Sequence, residues 1–68
     1  MIYIESYYKN QFGVMQFKTL GKFPIFDNIA DDFFKSLSIS DGIRIEVWDG
    51  DNAELIAVKE NKHSVRNY

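Results

Sequence analysis

A chain of 68 residues with 46% hydrophobic and 16% aromatic content makes one small ordered domain, spanning residues 1–68, and not a disordered segment. With no cysteine there is neither a disulfide framework nor a thiolate zinc site, and no apolar run approaches a membrane span, so the expected setting is cytoplasmic. The net charge of -2 hides an acidic middle, where Asp27, Asp31, Asp32, Asp41, Glu46, Asp49, Asp51 and Glu54 outweigh Lys35 and Arg44 and disfavour general binding to phosphate backbones.

Residues 2–8, IYIESYY, and 14–20, VMQFKTL, alternate with the period of half-buried strands. A two-residue loop at Asn10-Gln11 sets Ile4 opposite Phe17, Ile2 opposite Thr19 and Ser6 opposite Met15, so the apolar side chains share one face. Tyr3, Glu5, Tyr7, Val14, Gln16 and Lys18 then share the other. Gly21 ends this hairpin, and residues 22–26 read as an extended connector because Pro24 lacks a donor and restrains Phe23. Asp27 or Asn28 is expected to cap a helix running to about Ser38. Ile29, Ala30, Phe33, Phe34 and Leu37 form its apolar side, and Asp31 and Lys35 pair on the opposite one. Asp31 and Asp32 fall in the first turn, where the helix dipole favours carboxylates.

Ser40-Asp41-Gly42 signals a turn, after which Ile43, Ile45 and Val47 alternate with Arg44, Glu46 and Trp48. A loop over residues 49–52 leads into a strand over residues 53–59, with Ile45 opposite Ile56 and Ile43 opposite Val58. A further turn at Asn61-Lys62 returns the chain as a last strand from His63 to Arg66, with Val65 beside Val58 on the core side. The expected fold is a single α+β domain of ββαβββ order, an antiparallel five-stranded sheet with one helix packed on one face. The favoured strand order is 2-1-3-4-5, with 2-1-5-4-3 as the alternative.

Few residues point to catalysis. Asp49, Asp51, Asn52 and Glu54 offer oxygen ligands at alternate positions, but a calcium loop of the EF-hand kind needs a longer span between two helices, and Asp, Gly and Asn are the residues that turns use. His63 lacks a nucleophile and an orienting partner, since the adjacent Ser64 points to the other face of a strand. Asp31 and Asp32 diverge by about 100° on a helix, which suits a solvated N-terminus better than an acid-base pair. No catalytic, cofactor or metal residue is assigned, and the chain is expected not to be an enzyme.

The sheet face away from the helix carries the stronger signal, because one helix cannot cover both sides of the sheet. It is expected to gather Tyr3, Tyr7, Lys18, Arg44, Trp48, Leu55, Lys59, Arg66 and Tyr68. Tyr, Trp and Arg dominate protein-interface hot spots and are also what single-stranded nucleic acids stack on. Cross-strand aromatic pairs that merely steady a solvated face are the plain alternative.

The stretch IRIEVWDGDNAELIAVKENKHSV, residues 43–65, resembles the end of small phage-encoded anti-CRISPR proteins, in which a strand and hairpin run into a Lys-Glu-Asn-type turn and a last strand. The resemblance implies a host-defence inhibitor and carries over no binding residue. The expected function is a non-enzymatic protein-binding module of phage or mobile-element origin that inhibits a host protein complex. Its contact residues are Tyr3, Tyr7, Lys18, Arg44, Trp48 and Arg66 on the open face, or Asp31 and Asp32 on the acidic side of the helix. Two alternatives stand beside it: a single-stranded nucleic-acid-binding domain using the aromatic and basic face, and a structural homodimer. No membrane partner is expected.

Overall fold

The computed structural model describes residues 1–40 and 42–60. Its elements are β1 (Ile2–Lys9), β2 (Met15–Phe23), α1 (Asn28–Ser36), β3 (Arg44–Asp49) and β4 (Glu54–Glu60). Among the described residues the sheet is antiparallel with four strands in the order β2-β1-β3-β4, which corrects the expected five-stranded ββαβββ arrangement while keeping the order expected for these four. The Asn61-Lys62 turn and the strand from His63 to Arg66 lie outside the described residues. The case for that strand placed Val65 beside Val58 on the core side, and Val58 turns out to sit opposite Glu46, 42% exposed, on the face away from the helix.

The first hairpin turns through five residues, 10–14, and not through two, because Asn10 organises a wider loop. Its Oδ1 accepts from the backbone N–H of Phe12 at 2.9 Å and of Val14 at 3.1 Å, its own N–H donates to the Val14 carbonyl, and Gly13 sits in the left-handed region at φ 77°. The partner of each β1 residue therefore moves by an odd number of positions, so Met15, Phe17 and Thr19 swing to the face away from the helix. A bulge then restores the parity: Glu5 pairs with Thr19 and Ile4 with Gly21, leaving Leu20 as the extra residue packed against the core. Gly21 does not end the hairpin, since β2 continues to Phe23 opposite Ile2. A Cβ at Gly21 would lie 3.0 Å from the Phe33 ring, so the helix approaches this strand as closely as a glycine permits.

Asp27 caps α1, its Oδ1 accepting from the N–H groups of Ile29 and Ala30 at 3.1 and 3.2 Å. The helix stops at Ser36, short of the expected Ser38, as Leu37 turns extended. Ala30 and Phe34 are buried on the sheet, with Phe33 and Leu37 partly covered beside them. Ile29, expected in the core, is 69% exposed, because the buried stripe centres on Ala30 and Phe34 and Ile29 lies about 100° round the helix from Ala30. The core is Ile2, Ile4, Phe34, Ile45 and Val47, ringed by Leu20, Phe23, Phe26, Phe33, Leu37, Ile43 and Ala57.

The second hairpin repeats the pattern of the first. Asp49 closes its loop, with Oδ1 accepting from the backbone N–H of Asp51 and Asn52 and Oδ2 from the Asn52 amide, and these bonds, that of the Asn52 amide first, hold its carboxyl below its usual pKa. Trp48 pairs with Leu55, but Val47 pairs with Ala57, so Ile56 is absorbed in a bulge and the rest of β4 reverses its facing. Ile45 lies opposite Lys59 where Ile56 was expected. The core side of β4 is consequently Ala57 and the stem of Lys59, whose ammonium lies 5.0 Å from the Phe34 ring centroid and donates to the Lys35 carbonyl near the end of the helix.

Candidate protein interface

The two register changes determine what the open face carries. Read across β2, β1, β3 and β4, one row is Lys22, Tyr3, Trp48 and Leu55, the next is Thr19, Glu5, Glu46 and Val58, and the third is Phe17, Tyr7, Arg44 and Glu60. Met15 and Lys9 follow where the β1–β2 hairpin runs on past β3. Rows lie about 7 Å apart and strands about 4.8 Å, so the three full rows make a continuous surface with exposed apolar residues along both outer strands. Met15 and Phe17 are each 58% exposed, and Leu55 and Val58 about two-fifths.

The charges of this face are held by their neighbours. Glu46 accepts from Arg44 Nε through one oxygen and from Trp48 Nε1 through the other, both at 2.6 Å, and its side chain is only 13% exposed. Arg44 reaches Glu60 as well, at 3.3 Å, and its guanidinium pKa is raised, first by the hydrogen bond to Glu46. Glu5 accepts from the Tyr7 hydroxyl at 3.0 Å and from the Thr19 hydroxyl at 3.4 Å. Burial pushes the Tyr7 phenol up to about 12, and the bond to Glu5 and the charges of Glu5 and Glu46 add to this. Tyr7 also stacks on Phe17 at 5.5 Å, while the Lys22 ammonium lies 5.8 Å from the centroid of the Tyr3 ring. No buried side-chain polar atom lacks a partner among the described residues.

Of the expected contact residues, the structure brings Tyr3, Tyr7, Arg44 and Trp48 together on this face. Lys18 is not with them, because the wider first loop sets it opposite Ser6 with its side chain on the helix side. Lys59 leaves the face for the same kind of reason. Arg66 and Tyr68 lie outside the described residues. Asp31 and Asp32 sit on α1, across the sheet from Trp48, and Asp31 is already paired with Lys35 at 2.9 Å, so the helix and the open face form two separate surfaces. Sequence reasoning missed Met15, Phe17 and Val58, which it placed in the core, and the pairing of Glu5 with Glu46. Two signals were available: the Asn10 to Gly13 spacing typical of a loop with a left-handed glycine, and the unbroken apolar run Leu55-Ile56-Ala57-Val58, in which alternation fails. Comparison with protein-family models, with curated proteins and with solved structures finds no match to this chain.

Proposed function

We propose that this protein is a non-enzymatic binding module that docks on another protein through its open sheet face. The observation that carries the reading is the composition of that face: Tyr3, Tyr7, Trp48, Met15, Phe17, Leu55 and Val58 surround Arg44, Glu46 and Glu60, which are already paired, and Glu5, which already accepts from two hydroxyls. Aromatic anchors with prepaired polar groups lower both the desolvation and the ordering costs of association. The same face is a poor site for single-stranded nucleic acid, since Lys18 and Lys59 have left it and two carboxylates occupy its middle row. Resemblance of residues 43–65 to anti-CRISPR proteins adds a class of partner, a host protein complex, to this reading.

The test is capture of partners by the tagged protein from its source organism, with Phe17→Ser plus Leu55→Ser set against Asp31→Lys plus Asp32→Lys. All four side chains lie outside the core, so both variants should keep the wild-type circular dichroism and melt within about 1–2 kcal/mol of it. Loss of the captured protein is expected with the serine variant alone. Retention by that variant and loss with the lysine variant would move the interface to the helix.

A further inference from the structure

The middle row of the open face sets Glu5 directly opposite Glu46 on adjacent strands, a like-charge juxtaposition that a sheet ordinarily avoids. Arg44 serves Glu46 and Glu60, and no described cation contacts Glu5. Each oxygen of the Glu5–Glu46 pair has one donor among the described residues, which leaves each with a further lone pair to offer. Aromatic rings flank the pair, with Tyr3 and Trp48 in the row on one side and Tyr7 and Phe17 in the row on the other. The face already demonstrates both halves of cation recognition, in the lysine over Tyr3 and in the guanidinium that bridges two carboxylates.

Resting on the docking reading above, we infer that the partner is a protein surface presenting an arginine from within an apolar patch, with the guanidinium seated over Glu5 between the two aromatic rows. Charge complementarity selects this occupant over a second copy of the chain. A two-fold, face-to-face pair centred on the middle row brings the carboxylates of one copy onto those of the other, with Lys22 and Arg44 held in the flanking rows. Arginine suits the site better than lysine because its planar fork can bond a carboxylate while its face lies against a ring.

The probe is a blocked leucine-arginine-leucine peptide, compared with the same peptide carrying citrulline, which keeps the shape and removes the charge. Two-dimensional amide NMR of the full chain should show saturable shifts at Glu5, at Glu46 and at the Trp48 indole N–H in the millimolar range. Binding should be at least about fivefold weaker for the citrulline peptide and for the Glu5→Gln variant with the arginine peptide, and weaker in high salt. Glu5→Gln keeps an acceptor for the Tyr7 hydroxyl, and its melt checks that it folds. Equal binding of both peptides with shifts at Phe17 and Leu55 would overturn the arginine inference and leave the docking face standing. Absence of shifts with either peptide would count against both. A dimer at sub-millimolar concentration that dissociates when Phe17 and Leu55 are serine would identify a second copy as the occupant of this face and overturn the inference.

Discussion

Tyr7 reports on the middle of the open face more sharply than any other single side chain. Its pKa in the fold is raised from 10.0 to about 12, by burial first and then by Glu5, so the folded state holds that proton more tightly than the unfolded chain does. Its contribution to stability is therefore intact below pH 10 and is lost as the pH climbs towards 12. In a spectrophotometric titration compared with that of a Tyr7→Phe variant, the Tyr7 phenol should ionise towards pH 12, and Glu5→Gln should bring it part of the way back, since burial remains. At the other end of the molecule, Asp27 supplies the only side-chain cap described for α1, and a nine-residue helix has little propensity in reserve. Asp27→Ala should cost about 1 kcal/mol, read as a fall of about 4–8 °C in melting temperature.

At the scale of elements, most of the architecture was legible in the sequence and the registers were not. The first two strands, the helix with its cap, and the second hairpin follow from period, capping residue and turn residues, each a local property. Register is set by loop length and bulges, where one residue reverses the facing of everything beyond it. Asn10 chose a five-residue loop, and Leu20 and Ile56 each absorbed one residue, so Met15, Phe17 and Val58 exchanged sides with Lys18 and Lys59. The candidate site was accordingly half legible: Tyr3, Tyr7, Arg44 and Trp48 could be placed from β1 and β3, which pair without irregularity. Mutational cost separates the two arrangements. Ile56→Ser and Val58→Ser, at 37% and 42% exposed, should each cost within about 1 kcal/mol in denaturant melts, whereas Val47→Ala, fully buried, should cost about 2 kcal/mol or more.

For the whole molecule, the two faces of one thin sheet divide the work. Among the described residues, the helix face spends its apolar residues on a core of six buried side chains around Ile4 and Val47. The open face keeps an aromatic and aliphatic surface whose carboxylates each have a donor within it, and the β1–β2 hairpin carries that surface past the end of β3. Because Met15, Phe17, Leu55 and Val58 on the outer strands lie outside the core, their removal should leave the domain folded. The most direct test is the affinity of the captured partner for the Met15→Ser, Phe17→Ser, Val58→Ser triple variant, measured by calorimetry on protein whose melt has been recorded. We expect a melt close to wild type together with a loss of binding of at least about a hundredfold. Wild-type affinity in the triple variant would contradict the docking face, and a collapsed melt would mean that these side chains belong to the core after all.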